Sequence, residues 1–120
     1  MTAPYRVVLS EMTTSVLRSL TSKTGLSANI LSRFAMLISF EDRDSPANDA
    51  GKPGLTINRT TLFGELEPFL MSAFSLTTKD VTVHNSGKEL ANHIARGATY
   101  LNVRVYSLTD LMAVVNDLPG

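Results

Sequence analysis

The chain has 120 residues, room for one hydrophobic core, so a single domain over residues 1–120 is expected. Apolar residues make up 43%, which excludes intrinsic disorder, and the absence of cysteine excludes disulfides, thiol catalysis, Cys-bound zinc and iron–sulfur clusters. Eleven basic and eleven acidic side chains cancel, so a polyanionic partner would have to be met by a local patch rather than by overall charge.

No apolar run approaches the ~18–20 residues of a membrane span. Met1–Pro4 leads into a strand rather than an apolar signal segment, so a cytoplasmic location with no membrane partner is expected. The strand is Tyr5-Arg6-Val7-Val8-Leu9. Ser10 follows as an N-cap, with Glu11 where the helix dipole favours an anion, and a first helix runs from Glu11 to about Thr24 with Met12, Val16, Leu17 and Leu20 inward. Gly25 stands where a left-handed residue closes a helix. A second helix opens at Ser27, runs to about Phe40 and turns Ile30, Leu31, Phe34, Leu37 and Ile38 inward.

Glu41 to Gly54 is charged, holds Pro46 and Pro53, lacks periodicity and reads as a mobile loop. It ends in a short extended piece, Leu55–Asn58. A third helix is expected from about Thr61 to Ser75, with Leu62, Leu66, Phe69, Leu70, Ala73 and Phe74 inward; Pro68 should bend or split it. Thr77–Ser86 is polar and loop-like. Ser86 caps a fourth helix near Gly87 whose inward positions are Leu90, Ala91, Ile94 and Ala98, and the spacing carries on past Gly97 through Leu101 to Val105. A last short helix, Leu108 to about Val115, follows Ser107. The architecture is therefore mainly α: a short strand and two helices, extended by about three further helices. A strand of five residues needs a partner, either another chain or Leu55–Asn58.

The first forty residues carry Arg6, Arg18, Lys23 and Arg33 against Glu11 alone, a basic unit inside a neutral chain. The start of the second helix, Lys23 to Asn29, offers free backbone N–H groups and the positive end of a dipole, which together suit a phosphate; the plainer reading is a capped helix with a solvated lysine. Arg96 and Arg104 stand eight residues apart, near two helical turns, and would track a phosphate backbone if the helix is continuous; Arg59, Arg96 and Arg104 would equally pair with Glu65, Glu67 or Glu89. His84 and His93 lack metal-ligand spacing and suit surface or cap positions, and Asp42, Asp44 and Asp49 lack the order of a Ca²⁺ loop, so no metal site is expected. No phosphate-binding or nucleophile-elbow motif is present. Tyr5, Tyr100 and Tyr106 are the candidate tyrosine nucleophiles; Tyr100 and Tyr106 suit the edge of the core, and Tyr5, beside Arg6, could meet a phosphate, against a plainer role covering the strand.

Taken in order, Ser22 to Arg33, then Asn58-Arg59-Thr60-Thr61-Leu62-Phe63-Gly64, then His93-Ile94-Ala95-Arg96-Gly97, then Leu101, Arg104, Val105 and Leu108 resemble the DndE family of the bacterial DNA phosphorothioation (sulfur modification) system, over roughly residues 6–112. The resemblance implies a ribbon-helix-helix-like N-terminal unit and binding to DNA with a preference for nicked duplex. It implies work beside a sulfur-transferring enzyme and an SMC-like ATPase, and it allows a homo-oligomer, including a tetramer. The family uses basic residues of the loop between the first two helices for DNA; here that loop keeps Lys23, with Ser22 and Thr24 beside it. The expected DNA-binding set is Arg18, Lys23, Thr24, Gly25, Ser27, Asn29, Arg33, Arg59, Arg96 and Arg104. The leading expectation is a non-catalytic DNA-binding subunit without cofactor. The alternatives are a nickase using Tyr5 or, with a divalent metal, an activated water, and a ribbon-helix-helix repressor whose dimeric ribbon lets Arg6 read bases.

Overall fold

A computed structural model describes residues 3–78, 81–82 and 84–118. Residues 79, 80 and 83 of the polar stretch expected before Ser86 lie outside the described residues, as do 1–2 and 119–120. The order is β1 (Arg6–Ser10), α1 (Glu11–Thr24), α2 (Ala28–Phe40), β2 (Pro53–Asn58), α3 (Arg59–Phe63), one 3₁₀ turn (Gly64–Leu66), α4 (Glu67–Thr77), α5 (Ser86–Arg104) and α6 (Leu108–Asn116). The fold is mainly α, as the periodicity indicates, with one two-stranded sheet.

The strand β1 finds its partner inside the chain. It pairs antiparallel with β2, Arg6 opposite Asn58, Val7 opposite Ile57 and Val8 opposite Thr56, and the register shifts before Ser10 meets Pro53. The ribbon is thus complete in one copy, and the two-chain ribbon of a repressor is not what this strand forms. Alternation sends Val7, Leu9 and Ile57 into the core and leaves Arg6, Val8, Thr56 and Asn58 outside. At the bulge, Gly54 lies so close to the start of α1 that a Cβ would stand 2.9 Å from the Ser10 carbonyl oxygen and 3.1 Å from the Glu11 Cα, so only glycine fits.

The helix ends follow from their caps. Ser10 Oγ accepts the Thr13 N–H at 3.1 Å, Gly25 closes α1 at φ 78° with its N–H on the Thr21 carbonyl, Ser27 caps α2, and Ser107 caps α6. The expected cap of α5 is displaced: Asn85 holds the cap position and Ser86 is the first helical residue, buried. Pro68 divides the third expected helix, which begins earlier, at Arg59, and resumes after the 3₁₀ turn with Pro68 in the first turn of α4, where its missing N–H costs nothing.

The central seam joins α2 to α5. Gly97 packs onto the α2 backbone at Ala35, and Leu31, Ala35, Ile94, Ala98 and Leu101 are buried around it. This close approach is why α5 runs unbroken through a glycine. Several expected inward positions face out: Met12 is 77% exposed, Phe69 is 59% exposed, and Ile30 and Leu66 are open as well.

Candidate nucleic-acid interface

The α1–α2 corner is built from its cap residues. Thr24 is buried and bridges the turn: its hydroxyl donates to the Leu20 carbonyl at 2.8 Å and accepts the Leu26 N–H at 3.2 Å. Gly25 and Ser27 are exposed, and the Ser27 hydroxyl accepts the Ile30 N–H at 3.4 Å. The Leu31 N–H takes the Ser27 carbonyl, while the amides of Ala28 and Asn29 have no acceptor among the described residues. The tip of α2 therefore stands open. Arg18 and Ser22 share the exposed face of α1 leading to it, and Arg18 has no partner among the described residues.

The remaining cations of the expected set are divided among separate structural tasks. Lys23 Nζ donates to the Asn102 carbonyl at 3.3 Å and to Asn102 Oδ1 at 3.2 Å, and lies 5.3 Å from the centre of the Tyr106 ring, which ties α1 to the end of α5. Arg33 donates to the carbonyls of Leu62, at 2.6 Å, and Thr61, at 3.1 Å, the open carbonyls at the end of α3. Arg59 makes a two-pronged pair with Glu67, at 2.7 and 2.6 Å, the ion-pair alternative of the sequence reading; the shared hydrogen bonds lower the Glu67 pKa and raise that of Arg59. Arg104 folds over the Tyr100 ring at 3.6 Å and donates to its carbonyl. Although α5 is continuous, Arg96 and Arg104 do not form one row, because Arg96 turns into the loop. Tyr5 is 88% exposed. Among the described residues no three His, Asp or Glu side chains group closely enough to hold a metal ion.

Two residues to which the sequence reading assigned no functional role, Asp49 and His93, organise this region. Asp49 pins the loop: its carboxylate accepts the Ser10 N–H at 2.8 Å, the Ser10 hydroxyl at 2.6 Å and the Thr13 hydroxyl at 2.8 Å. A loop carboxylate thus sits at the positive end of α1, and Asp49 N–H donates to Asn92 Oδ1 at 2.8 Å. The loop read as mobile is tethered at both Asp49 and Arg96. Arg96 Nη2 donates to the Ser39 carbonyl, Nη1 to the Asp44 carbonyl, and Asp42 lies at 3.5 Å.

His93, expected at a surface or cap position, is instead 2% exposed in the interior. It stacks edge-on against Phe40 and Phe74. Arg96 Nε–H donates to Ser39 Oγ at 2.8 Å, which frees the Ser39 proton for His93 Nδ1 at 2.7 Å. His93 Nε2–H then donates to Thr78 Oγ1 at 2.9 Å, a tautomer assigned from the network. Burial, followed by the charge of Arg96, lowers its pKa to about 4, so the ring is neutral at pH 7. The helical spacing from Leu90 and Ile94 was the available signal for its burial.

Arg6, Val8, Gly87, Lys88, Ala91, Asn92 and Asp49 line a groove of about 290 Å³ between the outer ribbon face and the first turns of α5. Arg6 and Lys88 have no partner among the described residues.

Comparison with known proteins agrees with this fold. No curated protein matches the chain by sequence. The crystal structure of a DndE from Escherichia coli B7A, described as involved in DNA phosphorothioation modification, superposes with a TM-score of 0.71 at 23% identity, covering 84% of this chain and 99% of that one. A glycine-to-lysine DndE variant, described as involved in DNA phosphorothioation, superposes at 0.69 with 22% identity, covering 83% of this chain and 98% of that one. The family model for DNA sulphur modification protein DndE matches residues 6–107, from β1 through α5, and the chain belongs to the DndE family.

Proposed function

We propose that this chain is the DNA-binding subunit of a phosphorothioation system, holding duplex DNA, nicked duplex in preference, through its sugar-phosphate backbone and making no cut itself. Family membership supports the setting, and the open α2 tip is the observation that carries the grip. Two unclaimed amides and a helix dipole suit a phosphate oxygen, and Arg18 stands free on the approach. Lys23, held against Asn102 and Tyr106, adds its positive charge to the corner from a fixed position. Arg33, Arg59, Arg96 and Arg104 contribute through the field rather than by direct grip, because their donors serve α3, Glu67, the loop and Tyr100.

The partners in this reading are a sulfur-transferring enzyme and an SMC-like ATPase. Self-association belongs to the same reading, and the 3₁₀ turn and α4 support it by leaving Leu66, Phe69 and Leu76 exposed.

The test is affinity for nicked and intact duplex against salt. Each phosphate contact contributes ~0.9 to the slope of log affinity against log salt. A steep slope with tighter binding to the nicked form is expected; a flat one removes the phosphate grip. Supercoiled plasmid should stay supercoiled with and without Mg²⁺. Relaxation that Tyr5→Phe abolishes would establish the nickase instead.

A further inference from the structure

We propose that the outer face of the β1–β2 ribbon is a second DNA contact, one that enters the major groove of a duplex. The inference rests on the DNA-binding reading above and adds a surface to it.

Alternation along β1 and β2 places Arg6, Val8, Thr56 and Asn58 on one face, and the register sets Arg6 opposite Asn58 and Val8 opposite Thr56. None of the polar three has a side-chain partner among the described residues; Asn58 stands at the cap position of α3 yet makes no cap bond. Across the groove Lys88, in the first turn of α5, is also unpartnered. Most of the other cations are spent internally, so two free ones lining a single groove mark this face out. Its one carboxylate, Asp49, already accepts three hydrogen bonds at the start of α1. Glu89, next to Lys88, lines a different cleft with Asn92 and His93.

Shape and chemistry fit duplex DNA. Two strands lie ~5 Å apart and a B-DNA major groove is ~12 Å wide, which admits a two-stranded ribbon. An arginine fork matches the paired acceptors of guanine, an asparagine amide matches the acceptor and donor of adenine, and Val8 suits a thymine methyl. Lys88 stands at the lip, where a phosphate would lie. Strand addition by a partner protein fits less well. The edge of β1 is covered by α5, with Gly87 so near that a Cβ would come within 3.3 Å of the Arg6 carbonyl oxygen.

The experiment is fluorescence anisotropy of the full chain with a labelled nicked duplex. It compares wild type, Arg6→Gln with Lys88→Gln, Asn58→Ala, and the control Arg43→Gln, which removes an exposed cation outside the groove. The double variant is expected to bind at least ~10-fold more weakly, with a salt slope smaller by about one to two, and Asn58→Ala to lose ~10-fold. The control should bind as wild type. Methyl green, a major-groove ligand, should compete, and netropsin, a minor-groove ligand, should not. If wild type binds no DNA, both readings fall. If it binds with a steep slope and the double variant is unchanged, the α2-tip grip stands and the ribbon contact is overturned, as it is if netropsin alone competes. Should the double variant unfold by circular dichroism, a photocrosslinker on Val8→Cys decides: an adduct with duplex DNA supports the ribbon contact, and its absence overturns it.

Discussion

Gly97→Ala sets two effects of opposite sign against each other at one position. Helix propensity favours the change: alanine in the interior of α5 should gain ~1 kcal/mol over glycine. Packing opposes it. A Cβ on Gly97 would lie 2.5 Å from the Ala35 Cα and closer still to the Ala35 carbonyl group, all of it helix backbone. Non-bonded carbons settle at ~3.5–4 Å, so α2 and α5 must part by about 1 Å. A gap of that size forfeits a quarter to a half of each dispersion contact along the seam, which Leu31, Ala35, Ile94, Ala98 and Leu101 fill. Overpacking of this kind costs ~1–3 kcal/mol, and a backbone obstacle cannot rotate aside, which places Gly97→Ala at the upper end. Net destabilisation of about 2 kcal/mol is expected, with Tm lower by roughly 8 °C. Urea unfolding followed by circular dichroism measures it, with the exposed neighbour Thr99→Ala as the propensity control, expected to gain ~0.5 kcal/mol. If Gly97→Ala were as stable as wild type or more so, the seam would not be as close as described, and the account of why α5 tolerates its glycine would fail.

Other predictions address the polar groups. His93 has a folded pKa of about 4 against an ordinary 6.5, so the unfolded chain takes up its proton first. Its contribution to stability is intact above pH 6.5 and is lost as pH falls towards 4. Unfolding at pH 5 should show a loss of about 2 kcal/mol relative to pH 7, absent in His93→Gln; an equal loss in both would assign the acid sensitivity elsewhere. Asp49→Asn removes the charge that three donors converge on and should cost ~1–3 kcal/mol. Trypsin should then cut sooner after Arg43, and an unchanged cleavage rate would mean that other contacts hold the loop. Lys23→Met should weaken DNA binding modestly and reduce the salt slope, since it removes a charge beside the α2 tip; an unchanged slope would take Lys23 out of the corner's field.

Local signals carried much of the fold. Ser10, Gly25, Ser27 and Ser107 mark helix ends through bonds made within a turn, and Pro68 divides α3 from α4 for a reason contained in its own ring. The ordered motifs carried the family. Long-range contacts were out of reach. Asp49 meets Ser10 across 39 residues, and Arg96 meets Ser39 across 57, so nothing near either residue announces its partner. A charge count cannot tell the cations engaged within the fold, such as Arg33 and Arg59, from the unpartnered Arg6 and Lys88. Met12, Ile30 and Phe69 obey helical spacing and still face out, because periodicity finds a stripe without fixing how wide the covered part will be.

The pairing of β1 with β2 bears on how the protein is made. During synthesis the first strand emerges with Val7 and Leu9 bare, and its mate follows only after α2 and the whole loop have left the ribosome. Closing that long span precedes any reward from the pairing, which places ribbon assembly late among the folding events. Because one polypeptide supplies both halves, ribbon formation is first-order and proceeds at the same rate in a dilute cell extract as in a concentrated one.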